Sequence, residues 1–459
     1  MTRTSTAPRA QEPIESALAR LNRGAPKAMR IERDKPVAFG GHAIERLTLG
    51  NGLRILALVD ASAPVVSYNT WFRVGSRHER KGKTGIAHLF EHLMFNETKS
   101  LPAGRFDQLL ERAGAETNAA TWNDWTYYYE NIPRDQLALA VRLEAERMHN
   151  LVLREKPVAS EKEVVANERR YRVEDDVEGA MSEKLWEHAF RKHPYHHPTI
   201  GWMDDILNFT PDDCRAFYRT WYAPNNATLV LVGDLDMHRA LPLLRKHYGH
   251  LKPAKLPQVR LPTEPEQTEE RVVTLTRATP TDKVSVGYKS PPMAHADHAA
   301  LSVLTEALTG GRSARFYRDF VTEREMASDV SGWTSTFRDP GLWEVSVTAR
   351  EGVTVERLLS ALDAGIDGLR MRPITADERD RAVARMELNF LRNLETAGGK
   401  AEQIGFFDTV LGDPAGAFAR LDAVRAVSTQ RIAEVAARYL SRARRTVVKV
   451  RADLSSEAA

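Results

Sequence analysis

The chain has 459 residues, 42% of them hydrophobic, which allows roughly two to four domains with sizeable cores. Its 65 basic and 62 acidic side chains leave a formal charge of only +3, which excludes a nucleic-acid partner held by bulk charge. The one cysteine, Cys214, excludes an internal disulfide, and no stretch approaches the ~18 apolar residues of a membrane span.

Residues 1–39 read as a tail with one short amphipathic piece, Ile14 to Leu21. The first 25 residues lack the apolar segment of a secretory signal. The chain as written is therefore expected in the cytoplasm, or in a bacterial periplasm if a leader has been removed. Leu47 to Leu58 alternates around Gly50-Asn51-Gly52, a hairpin signal. Val65 to Val74 is a second strand. Thr84-Gly85 then opens a helix whose Ile86, Ala87, Leu89, Phe90, Leu93 and Met94 make it apolar enough to be buried. Arg105 to Ala113 and Asp135 to Asn150 have helical spacing, and Thr121 to Tyr129 between them is aromatic and β-prone. Ser160 and Glu163 form a capping box, which predicts a helix starting there and running past Met181. Ala227 to Val232 is a buried strand. Pro253, Pro257, Pro262 and Pro265 lie among charges and make residues 251–270 a linker. After it, Arg271 to Leu275 and Val284 to Tyr288 are strands and Ala299 to Leu308 is a helix. Leu342 to Ala349 is a strand, Glu356 to Met371 and Thr375 to Thr396 are helices, and Thr446 to Val450 is a last strand. This order repeats the one before the linker. The expectation is an α+β chain of two similar domains, residues 40–250 and 271–453.

The chemistry concentrates in His88-Leu89-Phe90-Glu91-His92. Positions i and i+4 share a helix face, so both imidazoles can reach one metal ion, and Glu91 borders that face within reach of a metal-bound water. This is the inverted order of the His-Glu-x-x-His zinc motif. Unpaired polar groups on a buried helix cost on the order of 2–7 kcal/mol each, and a metal would satisfy all three. The alternative is two core histidines bonded to backbone carbonyls. A catalytic zinc takes three protein ligands and a water. Glu168 is the best third ligand, because Glu161, Val164, Val165 and Glu168 fall on one helix face. Spacing alone favours a solvated acidic helix, since charge-rich helices are usually surface; the motif upstream reverses that preference toward an inward face.

These residues make the chain resemble the pitrilysin/insulinase-type metallopeptidases, in the short branch that includes mitochondrial processing peptidase. Gly114 to Tyr129, with Asn118-Ala119 and Thr121, and Trp221-Tyr222-Ala223-Pro224-Asn225-Asn226 running into Leu229 to Asp234, match as well. The resemblance implies two related domains, each a mostly antiparallel sheet packed with helices, joined by the Pro- and charge-rich linker. It implies one Zn2+ per chain on His88, His92 and Glu168, with Glu91 as catalytic base and Glu161 orienting the site. It also implies a peptide substrate lying as an added strand along Ala115 to Thr121, in contact with Asn118 and Ala119; without it, that stretch reads as a turn. Family members complete the site with an arginine and a tyrosine from a later domain. Counted from Ser313-Ala314-Arg315-Phe316, those positions hold Val321, which has no donor, and Ser328, which is too short. Arg315 matches a different, structural position. The expectation is a zinc endopeptidase for extended peptides or unfolded segments that works with a homologous partner subunit, a homodimer being the second arrangement. The rival class is a non-catalytic assembly subunit; such members have degraded zinc motifs, whereas all four residues are intact here.

Other patterns carry less. His193, His196 and His197 could form a second metal site, but flanking Pro194 and Pro198 favour a polar loop. Gly310-Gly311-Arg312-Ser313 lacks the Gly-Lys-Ser/Thr ending of a phosphate cradle. Trp122, Trp125, Tyr127, Tyr128 and Tyr129 could stack bases, but without a basic patch they read as sheet core and face. Cys214 reads as an inert thiol.

Overall fold

A computed structural model describes residues 13–453. Continuous apolar runs become central strands and alternating runs become outer ones. Every residue of Ala227–Gly233 is buried, whereas Thr126–Pro133 alternates between buried and half-buried positions. The first sheet contains β1 (Ile31–Phe39), β2 (His42–Leu49), β3 (Arg54–Val59), β4 (Val65–Phe72), β5 (Glu116–Thr121), β6 (Thr126–Pro133) and β7 (Ala227–Gly233), in the order β1-β2-β3-β7-β4-β6-β5. The second contains β8 (Arg271–Arg277), β9 (Lys283–Lys289), β10 (Ala327–Thr334), β11 (Leu342–Ala349) and β12 (Arg445–Ala452), in the order β10-β11-β9-β12-β8. Among the described residues, each sheet has one parallel pair, β3 with β7 and β8 with β12, and is otherwise antiparallel. The second sheet repeats β3-β7-β4-β6-β5 strand for strand in order and orientation, so β10 is the counterpart of β5. The chain is thus two related α+β halves.

The halves exchange helices. The first half carries α1 (Ile14–Asn22), α2 (Ile86–Leu93), α3 (Arg105–Arg112), α4 (Leu137–Asn150), α5 (Glu155–Arg169) and α6 (Val177–Ala189). One face of the first sheet packs on α2 and α4. Its other face, with Leu56, Leu58, Trp71, Val230 and Val232, is covered by Ala401, Ile404, Phe407 and Val410 from the helix Ala397–Leu411 of the second half. Reciprocally, Met181, Leu185 and Ala189 of α6 cover Leu342, Val448 and Val450 of the second sheet. Asp408 fixes the first exchange: it is fully buried and bonded to Arg54 at 2.9 Å and to Arg73 and Thr228 at 3.2 Å.

Three sequence expectations change. Residues 31–39, read as tail, form β1 and pair with β2. Helix α5 starts at Glu155 rather than Ser160, with Pro157 in its first turn, where proline fits. It ends in a wide turn over Arg170–Glu174 rather than running past Met181, and Asp176 caps α6 by accepting the Gly179 N–H at 2.6 Å. Residues 251–270 are irregular, yet strapped down: Glu264 accepts the N–H groups of Arg191, Lys192 and His193 at 2.8–2.9 Å. Strand β10 and the helix Ala397–Leu411 carried no clear sequence signal. Among the described residues, no helix is long and apolar enough to cross a membrane.

Candidate metal centre

Helix α2 starts at Gly85, whose φ of 89° is left-handed. A Cβ there would lie 2.3 Å from the Ile200 carbonyl oxygen, so the chain crosses directly over the helix start and only glycine admits it. Glu79 supplies the cap. Its carboxylate is fully buried and accepts the Gly85 and Ala87 N–H groups at 2.8 Å each. His197 Nε2 in turn lies 3.0 Å from Glu79 Oε2. Beneath the helix, Tyr128 donates to the Phe90 carbonyl at 3.0 Å and stacks on Arg147, 4.5 Å from its ring centroid. Arg147 is fully buried and ion-paired with Glu130 and Glu144, the pairing that a buried charge requires.

On this fixed helix the His88 and His92 rings stand one turn apart, with centroids 5.0 Å from each other. Helix α5 brings Glu168 Oε2 to 3.7 Å from His88 Nε2 and 3.3 Å from His92 Nε2. One ligand atom from each of the three residues falls within 4.8 Å of the others. Glu161 Oε2 lies 3.7 Å from His92 Nδ1, and its other oxygen accepts from Asn96 at 2.9 Å. Arg172 takes Glu168 Oε1 at 3.0 Å and leaves Oε2 for the centre. Of the four residues expected on one face of α5, Val164 departs: it is exposed, while Val165 is buried.

The residues present fit a metal. Among the described residues, His88 Nδ1 and Glu168 Oε2 are sealed from solvent without a well-aligned hydrogen-bond partner. Two imidazole nitrogens and one carboxylate oxygen are the donor set of a three-ligand zinc site. Burial pushes His88 down to about 4, so its lone pair is free at neutral pH. Burial also lowers His92, but Glu168, Glu91 and Glu161 outweigh it and raise the group. Contact with His92 holds Glu168 below the usual carboxylate range. Burial raises Glu91, with Thr121 and His92 opposing.

Strand β5 is the free edge of the first sheet beside this centre. The Ala119 N–H does not pair with β6; it donates to the Asn118 side chain at 2.8 Å and so points outward. The other patterns resolve as follows. His193 and His197 meet Asp339 and Glu79, carboxylates remote in sequence, and among the described residues this loop gathers no metal-binding cluster. Burial pushes the Cys214 thiol up to about 12, consistent with an inert core group. Arg315 bonds Glu378 at 2.8 Å and the Arg372 and Pro373 carbonyls, a structural role. Tyr128 is in the core and Trp125 and Tyr127 pack on Trp71. Sequence reasoning missed Glu79, Tyr128 and Arg172 as supports. The spacing of Arg172 four residues after Glu168 was the one signal available.

Comparison with known proteins agrees with this geometry. Residues 54–202 match the family model described as Insulinase (Peptidase family M16), and residues 208–386 match the Peptidase M16 inactive domain. The chain is 33% identical over 363 residues to the zinc protease PqqE of Helicobacter pylori, covering 78% of this chain and 81% of that protein. It is 24% identical over 414 residues to the mitochondrial-processing peptidase subunit beta of Lentinula edodes, covering 87% and 88%. A crystal structure of a protease from Helicobacter pylori superposes with a TM-score of 0.84 at 30% identity, over 89% of this chain and 99% of that one. With the fold, the donor set and these relatives in agreement, the chain belongs to peptidase family M16 and is a zinc metallopeptidase.

Proposed function

We propose that the chain is an endopeptidase for extended peptides and unfolded segments, with zinc on His88, His92 and Glu168 and Glu91 as the base. The observation that carries this reading is the convergence of the three ligand atoms beside the half-buried Glu91. Bound there, zinc supplies a Lewis acid that activates water at neutral pH and polarises a peptide carbonyl. Glu91 accepts the proton of the attacking water on its carboxylate and returns it to the departing amine. Its burial-raised carboxyl suits both halves of that exchange. Glu161 faces His92 Nδ1, which turns the Nε2 lone pair toward Glu168. The substrate pairs along β5, where an edge strand recognises backbone rather than sequence. Asn118 yields the Ala119 N–H to it. The catalytic unit runs from β1 through residue 250, and residues 271–453 form the non-metal unit.

A partner subunit completes the site in this reading. Val321 is buried in the second core, and the Ser328 hydroxyl faces the Thr348 and Ala349 carbonyls, so neither position offers a donor to substrate. Similarity to a protein named as a subunit supports the same arrangement. One titration tests both parts. Zinc is added to metal-free chain, alone and mixed with a co-purifying homologue, and hydrolysis of a quenched peptide is followed. Hydrolysis should level off at one zinc per chain, with a higher plateau in the mixture. Equal plateaus would remove the partner, and hydrolysis independent of zinc would remove the whole reading.

A further inference from the structure

Helix α5 ends one residue after Glu168, and the chain leaves it through the wide turn Arg170–Glu174. Three arginines crowd this end and do different things. Arg169 is buried, bonded to Glu183 at 2.7 Å and to the Gly201 carbonyl at 2.9 Å, and anchors the helix. Arg170 turns outward to Asn167. Of the three, Arg172 alone turns to the metal centre, with its Nε 3.0 Å from Glu168 Oε1. Its backbone is fixed from behind. The Asp175 N–H closes the turn on the Arg170 carbonyl at 2.8 Å. Gly179 of α6 packs directly on it: a Cβ there would lie 1.9 Å from the Arg172 carbonyl oxygen. The Arg172 side chain is 69% exposed, and exposed pairs four residues apart on a helix add little to folding. The pair makes more sense through Glu168. Glu168 Oε2 is sealed from solvent and faces both histidines, while Oε1 is held by Arg172.

We propose that Arg172 is a positioning residue that keeps Glu168 a one-oxygen ligand and so preserves the open position for water. The inference rests on the ligand reading above and adds Arg172 to it. A carboxylate can hold a cation through one oxygen or through both. Zinc has no geometric preference of its own and expands readily to five ligands. With both oxygens free, Glu168 would close on the metal and take up the position that water needs. A charge-assisted hydrogen bond to Oε1 holds that oxygen back. This role differs from that of an ordinary support, whose loss weakens metal binding. Arg172 opposes metal binding in two ways: it withholds a ligand atom and places a positive charge near the cation. Its removal should therefore leave zinc bound as tightly or more tightly, and slow hydrolysis.

The test compares wild type, Arg172→Ala and Arg172→Lys, each loaded with cobalt or with zinc. Four-coordinate cobalt(II) absorbs visible light more strongly than five-coordinate cobalt(II), so the spectrum reports the second oxygen directly. Arg172→Ala should lower that absorption. Arg172→Lys, which keeps a cationic donor, should retain most of it. Chelator competition should give Arg172→Ala a zinc affinity equal to or above that of wild type. Its kcat on a quenched peptide should fall about tenfold with little change in KM. Equal cobalt absorption in wild type and Arg172→Ala overturns the proposal and leaves the ligand reading standing. So does a zinc affinity that falls tenfold along with the rate. A wild-type chain that takes up no cobalt removes the ligand reading and the proposal with it.

Discussion

Glu79 gives both carboxylate oxygens to the first turn of α2 and is itself held by His197. A carboxylate at a helix N-terminus is stabilising in general, and this one also fixes the axis on which His88, Glu91 and His92 are mounted. Outer-shell partners of metal ligands typically contribute ten- to a hundredfold in affinity. Glu79→Gln should therefore weaken zinc binding by about tenfold, measured by chelator competition, and speed deuterium exchange at the Ala87 amide. Unchanged zinc affinity would reduce Glu79 to an ordinary cap. His88, Glu91 and His92 were legible as a group because helical spacing reports which side chains share a face; Glu168 needed the upstream motif and the resemblance, because its own spacing favours a solvated helix. Glu79 was not legible, because its contacts join three segments that only the fold brings together. The same holds for the histidine loop: the carboxylates nearest in sequence are Glu187 and Asp204, but the His193 and His197 rings meet Asp339 and Glu79.

At the scale of elements, β5 is the free edge of the first sheet, and the proposed function makes it the strand on which the peptide lies. The outward Ala119 N–H is occupied by the Asn118 side chain, so a peptide strand has to displace only a local bond. Proline on an edge strand is tolerated where its N–H faces outward. Ala119→Pro should fold with an unchanged melting temperature and raise KM for peptides several-fold, about 1 kcal/mol for one lost backbone bond. Normal KM in a folded variant would place the substrate elsewhere. Strand β5 was expected from resemblance alone, since Asn and Gly by themselves suggest a turn. The start of α5 was misread for a local reason: Ser160-x-x-Glu163 has the form of a capping box, but Pro157 already opens the helix five residues after Val152. Its end was misread because the chain turns at Asp175-Asp176 without glycine or proline to mark it.

At the scale of the molecule, each half lends a helix to the other half's sheet. Asp408, fully buried between Arg54 and Arg73, and the Lys400–Asp60 pair at 2.9 Å tie the helix Ala397–Leu411 to the first sheet. The repeat of strand order was readable from the periodicity on both sides of the linker. The exchange was not, because a helix's apolar face does not say which sheet it covers. This exchange joins the halves: α6 follows the turn that ends α5 and lands on Leu342 of β11 and on Val448 and Val450 of β12. The central claim is that four residues of this chain make a zinc peptidase. Its most direct test measures zinc content and peptide hydrolysis together on the wild type, Glu91→Gln and His88→Ala. The account predicts that Glu91→Gln keeps one zinc and loses about 10²–10⁴ in rate, the usual share of a positioned base. It predicts that His88→Ala loses both metal and activity. Full hydrolysis by Glu91→Gln, or activity that persists in His88→Ala without zinc, would contradict it.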